Sequence, residues 1–120
     1  MTHSLSTPDL DLARRVLTPV PYAARFSVGR LRPPVGVMPG TVRSLHELHL
    51  LLTPDDRSLP GVNLTALPGW IADVVGDPEL AEAVRLAVGQ AGSYVEGCVQ
   101  TFALVGARLE QARTTTGVRP

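Results

Sequence analysis

Apolar positions along this chain switch between helical spacing and alternation, and the switches outline its elements. Leu10, Ala13, Val16 and Leu17 fall on one face of a helix that opens at Thr7-Pro8-Asp9, with Thr7 as N-cap and Pro8 at the first helical position. The helix stops by Leu17, because the prolines of TPVP remove donors and restrict the residues before them. From Tyr22 to Val42 the period shortens. Phe26 and Val28 alternate with polar neighbours, and Val35, Val37 and Val42 supply a second, interrupted strand, which predicts a small hairpin or ribbon. So few strands need helices over one face. Ser44-Leu45-His46-Glu47 is then a capping box, in which Glu47 reaches back to the amide of Ser44, and Leu45, Leu48 and Leu52 form the core stripe of a helix over 44–52.

Thr53-Pro54-Asp55-Asp56 repeats the threonine-proline-acid start and predicts a short turn, followed by loop in RSLPGVNLTALPG. Leu67, Trp70, Ile71, Val74 and Val75 follow at i, i+3, i+4, i+7 and i+8, one apolar stripe. Gly76 ends that helix in a left-handed cap and Asp77-Pro78-Glu79 starts another, with Leu80, Val84, Ala87 and Val88 inward. Ser93 caps a last, long helix to about Thr114, striped by Val95, Cys98, Phe102, Val105 and Leu109. The fold class is therefore α+β and mainly helical, with four or five helices and a small β-hairpin in the N-terminal third. The expected layout is a flexible N-terminus over 1–6, one globular domain over 7–114 and a disordered tail over 115–120.

Composition refines this picture in three respects. At 120 residues the chain is long enough to bury roughly two-thirds of its unfolded surface around one core. No apolar run spans a membrane, and the opening MTHSLSTPDLDLARR lacks a basic start and apolar stretch, so a cytoplasmic protein is expected. All eleven basic residues are arginine, which points to a GC-rich bacterial source. The net charge is zero but unevenly spread. Six arginines and no acid lie between Leu12 and His46, whereas seven acids and one arginine lie between Glu47 and Glu82.

Little catalytic chemistry is visible. His46-Glu47-Leu48-His49 is one residue short of the H-E-x-x-H zinc signature, although histidines three apart still lie roughly 60° from each other around a helix. His46 and His49 are thus candidate metal ligands without a third, since the other histidine is His3. The capping box and the leucine stripe explain the same stretch with more of its residues. Cys98, within an apolar stripe, reads as a buried structural thiol. The helix pair across IADVVGDPELAEAVRLA has the outline of a helix-turn-helix, but Glu79 and Glu82 on its second helix would repel a phosphate backbone. Within the arginine-rich segment 14–43, Arg25, Arg30, Arg32 and Arg43 are the candidate anion contacts, unless Glu47, Asp73 and neighbouring acids pair with them.

Four pieces of the chain, ARFSV (24–28), SLHEL (44–48), LPGWIADVVGDPELA (67–81) and the final helix, resemble domain-of-unknown-function family 5752, a small prokaryotic family. The resemblance covers about residues 20–112 and implies a fold without an activity. Members of that family often carry a histidine and an aspartate shortly before the tryptophan. This chain has VNLTALPGW there instead. The expectation from the whole sequence is a non-catalytic accessory or protein-interaction module, oligomeric through Phe102, Val105 and Leu109, with no cofactor. The alternative is an anion- or nucleic-acid-binding domain using segment 14–43.

Overall fold

The structure is a computed structural model and describes residues 5–55 and 57–117. Helix α1 (Leu10–Leu17) begins later than the Thr7-Pro8 pattern predicts. Asp9 is the N-cap, its carboxylate accepting from the Leu12 amide at 2.8 Å. Upstream, the Ser6 amide donates to Glu79 and the Leu5 carbonyl accepts from Gln111, so this segment is tied to later helices and not wound into a first turn. Ala13 and Val16 are buried as expected, whereas Leu10 is exposed.

Strand β1 (Phe26–Arg32) pairs antiparallel with β2 (Gly36–Val42), giving the predicted hairpin. Val35 falls in its turn and not in a strand. A third strand, β3 (Leu59–Gly61), adds to the other side of β1, in the order β2-β1-β3. That strand lies in the stretch read as loop, because three residues containing a proline are too short to show alternation. A side chain completes it. The Tyr94 hydroxyl accepts from the Val62 amide at 2.8 Å and donates to the Pro60 carbonyl at 2.5 Å, serving groups that a further strand would otherwise pair.

Helix α2 (Leu45–Leu52) starts at the predicted cap, where Ser44 Oγ accepts from the Glu47 amide at 3.1 Å. The Glu47 carboxylate returns to the amide of Arg43, one residue earlier than the capping box predicts. Helix α3 (Leu67–Trp70) runs into a wider π turn over Ile71–Val75, in which the Gly76 amide reaches the Ile71 carbonyl at 2.9 Å. The extra residue in that turn rotates Val74 out to solvent while Leu67, Trp70, Ile71 and Val75 stay buried, which corrects the five-residue stripe. Trp70 also ties the sheet to the helices. Its indole nitrogen donates to the Ala24 carbonyl at 2.7 Å and its ring lies 5.5 Å from that of Phe26.

Gly76 takes the predicted left-handed conformation with φ of 86°, and Asp77 caps α4 (Pro78–Gln90) by accepting from the Leu80 amide at 3.0 Å. Helix α5 (Tyr94–Thr116) starts at Ser93 and is the spine on which α1, α2 and α4 pack. Its inward face turns toward Gly97, where the Leu64 side chain occupies the space of a β-carbon, so Val95 points outward and the stripe begins at Cys98. Thr115 and Thr116, expected in a disordered tail, are helical, and Gly117 ends the helix. Residues 1–4 and 118–120 of the expected termini lie outside the described residues. Among the described residues no helix is long and apolar enough to cross a membrane.

A β-carbon at Gly76 would sit 3.0 Å from the Arg15 guanidinium, at a φ that costs any other residue roughly 1–2 kcal/mol. The variant Gly76→Ala is therefore expected to lose at least about 1 kcal/mol of stability in urea denaturation. An unchanged midpoint would contradict the left-handed cap.

Candidate functional site

The two histidines of α2 both turn toward α5. His46 Nδ1 lies 3.5 Å from an Arg113 guanidinium nitrogen, and the His49 ring stacks on Phe102 with centroids 4.4 Å apart and planes 7° from parallel. Burial, then the charge of Arg113 and then His46 hold the His49 imidazole below its ordinary pKa. Among the described residues no group of three His, Cys, Asp or Glu side chains gathers to hold a metal. His3 lies outside them. A guanidinium beside the imidazoles opposes any cation there, and the stack on Phe102 explains His49 as packing.

The four candidate anion contacts separate into two pairs. Arg30 donates to Ser58 Oγ and to the Leu51 carbonyl, both at 2.7 Å, and Arg43 donates from Nε to the Val20 carbonyl at 3.0 Å. Ser58 in turn donates to Asp55 at 2.9 Å, so the Arg30 charge is relayed to a carboxylate. The Arg57 amide first, and Ser58 second, hold that carboxyl below its usual range. Neither guanidinium forms an ion pair with Glu47 or Asp73 among the described residues, although the Arg43 amide donates to Glu47. Arg25 and Arg32 are exposed. Arg25 lies over the Tyr22 ring at 3.9 Å and donates to the Tyr22 carbonyl at 2.9 Å, while Arg32 makes no hydrogen bond or ion pair among the described residues but its charge acts on Asp55.

The residues expected to form an interface are used inside the chain. Val105 and Leu109 are buried in the core, and Phe102 packs against His49. The exposed apolar surface lies elsewhere. Of the twelve large hydrophobic residues exposed among the described ones, all but Leu10, Tyr22 and Val74 belong to the hairpin, β3, α2 or the start of α5. The strand register places Val37, Leu31 and Leu59 side by side across all three strands, on one face.

Sequence reasoning missed the strongest polar cluster. Arg108, on α5, has none of its surface exposed, and its Nε faces the equally buried Asp77 at 2.8 Å. The Nε–H is off that line, and the hydrogen bond of the pair runs instead from a terminal guanidinium nitrogen to Asp77 Oδ1 at 3.4 Å. Arg108 also reaches Glu79 at 2.5 Å, Gln111 at 3.0 Å and the Ser6 carbonyl at 2.8 Å. Ser6 returns its amide and hydroxyl to Glu79, while Gln111 donates to the Leu5 carbonyl at 2.9 Å. The signal was present in the sequence. Arg108 sits three residues after Val105 and four before Ala112, on the core stripe, where a charge needs a buried partner. Asp77 and Glu79 both read as a helix start, and only Asp77 is that cap.

Cys98 is buried, and desolvation pushes its thiol pKa up, which suits a structural residue and not a nucleophile. No protein-family model, curated protein or solved structure matches the chain.

The hydrogen bonds from Ser6 first, and Arg108 after them, hold the Glu79 carboxyl below its usual pKa. A depressed carboxyl stabilises the fold fully above its unfolded value of about 4.3, and that contribution is lost as pH falls through the folded value. Urea midpoints between about pH 6 and pH 3 are therefore expected to fall more steeply for the wild type than for Glu79→Gln. Parallel slopes would contradict the role of Glu79.

Proposed function

We propose that this chain is a small, non-catalytic cytoplasmic accessory module that acts by protein contact, first of all with its own copies. The observation that carries this reading is the gathering of exposed aliphatic side chains on the hairpin, β3 and the first turns of α5. Such a concentration marks a contact surface more often than scattered exposure does. The ionic groups add support, since the strongest pairs turn inward around Arg108 and away from a cleft. We further propose that the fold is that of domain-of-unknown-function family 5752, on the strength of residues 24–28, 44–48 and 67–81.

The anion-binding alternative draws on Arg25 and Arg32, which remain exposed, although Arg25 donates to the Tyr22 carbonyl as Arg30 and Arg43 do to those of Leu51 and Val20. Two separate cations on a neutral chain give weak attraction for a polyanion.

Sedimentation velocity of the full chain separates the two readings. The expected result is a monomer–dimer equilibrium with a dissociation constant on the order of 1–100 µM, and no retention on heparin near ~0.15 M salt. A strict monomer at several hundred micromolar, or salt-dependent heparin retention, would contradict the proposal.

A further inference from the structure

We infer that the cleft between the hairpin and α2 binds one apolar monocarboxylate, its body laid on aliphatic side chains and its charge held at Arg30 and Arg32. The strand register puts Val28, Arg30 and Arg32 of β1 on the face turned toward α2, with Met38 opposite Arg30 and Gly40 opposite Val28. Leu50 and Leu51 of α2 form the other wall. The cleft holds about 420 Å³, within the roughly 300–1,000 Å³ of small-molecule sites. It lies on the opposite face of the hairpin from the row of Val37, Leu31 and Leu59, so it stands or falls apart from the self-association proposed above.

A glycine keeps the floor of the cleft open. A β-carbon at Gly40 would meet only Val28, at 4.0 Å, so the chain itself does not fill the space beside Val28. Met38 and Leu50, which line the same space, are 48% and 57% exposed, and an acyl chain laid against them removes apolar surface from water.

Charge fixes the class of ligand. The Arg30 guanidinium donates to two neutral acceptors, the Leu51 carbonyl and Ser58 Oγ, which leave its charge uncancelled. Arg32 makes no hydrogen bond or ion pair among the described residues. Both charges act on Asp55, an exposed carboxylate already engaged by the Arg57 amide and the Ser58 hydroxyl. Two guanidiniums against that carboxylate leave one positive charge unmatched, which suits a single carboxylate and not a polyanion. One helical turn back along α2 from Leu51, Glu47 lines the same cleft and opposes a second negative group. The rest of the ligand is therefore uncharged. A free aliphatic acid and the C-terminus of an apolar peptide share this chemistry.

Titration of the full chain with octanoate, octanol and octanedioate, followed by amide NMR shifts, tests the assignment. These probes share a chain length and differ in their ends. Octanoate is expected to bind with a dissociation constant below about 1 mM, with shifts centred on Gly40 and Leu50. Octanol and octanedioate are each expected to bind at least about fivefold more weakly. Octanol is the more easily dehydrated, so its place behind octanoate requires the guanidiniums. Arg32→Gln, at a side chain with no partner to lose, is expected to weaken octanoate about fivefold and leave octanol unchanged, whereas Arg32→Lys keeps most of the affinity. Gly40→Val, confirmed folded by circular dichroism, fills the floor and is expected to weaken octanoate and octanol alike by about tenfold or more. N-acetyl-leucyl-leucine distinguishes the sources: weaker binding than octanoate assigns a free acid, and tighter binding a peptide terminus. Octanoate bound no more tightly than octanol, or bound equally by the wild type, Arg32→Gln and Gly40→Val, overturns the site. So does a dissociation constant above about 10 mM for octanoate.

Discussion

A guanidinium with no surface in water organises this small fold. Arg108 on α5 faces the buried carboxylate of Asp77 at the start of α4, and through Glu79, Gln111 and the Ser6 carbonyl it holds the segment before α1. Removing one partner from such a pair leaves the other buried and uncompensated, at a cost of roughly 3–5 kcal/mol. Three sequence-distant pieces must therefore arrive together. Helix α1 cannot begin until the strap ends at Asp9, and the direction of α4 is set by the residue that both caps it and meets Arg108.

Elsewhere, long polar side chains close what a short chain cannot close with regular structure. Tyr94 finishes β3, Trp70 takes the Ala24 carbonyl, Arg43 that of Val20 and Arg30 that of Leu51. Each bond satisfies a backbone group beside the core that would otherwise lack a partner. This use explains why an arginine-rich segment is a poor guide to an anion site here. Three of its four candidate contacts, Arg25, Arg30 and Arg43, donate to the chain's own carbonyls.

Helices announced by caps and periodicity were legible from the residues. Ser44, Asp77 and Ser93 cap as read, and Gly76 adopts the left-handed turn. The failures share a cause, which is that tertiary contacts decided between locally equivalent choices. Asp9 caps instead of Thr7 because the residues before it are tied to Glu79 and Gln111, Val74 turns out because the ladder widens to five residues, and Val95 turns out because Leu64 packs at Gly97. The candidate surface was legible only in kind. The apolar stripe of α5 is legible, but Val105 and Leu109 are core instead of interface, and the exposed row needs the pairing of Leu31 with Val37 and Leu59 to appear.

The central claim is that Arg108 and Asp77 act as one unit that sets how α4 and α5 meet. A double-mutant cycle in urea with Arg108→Met, Asp77→Asn and their combination measures it, since asparagine keeps the helix cap while removing the charge. The account predicts a coupling energy above about 2 kcal/mol, with the double variant more stable than Arg108→Met alone. Additive effects within about 0.5 kcal/mol would contradict it.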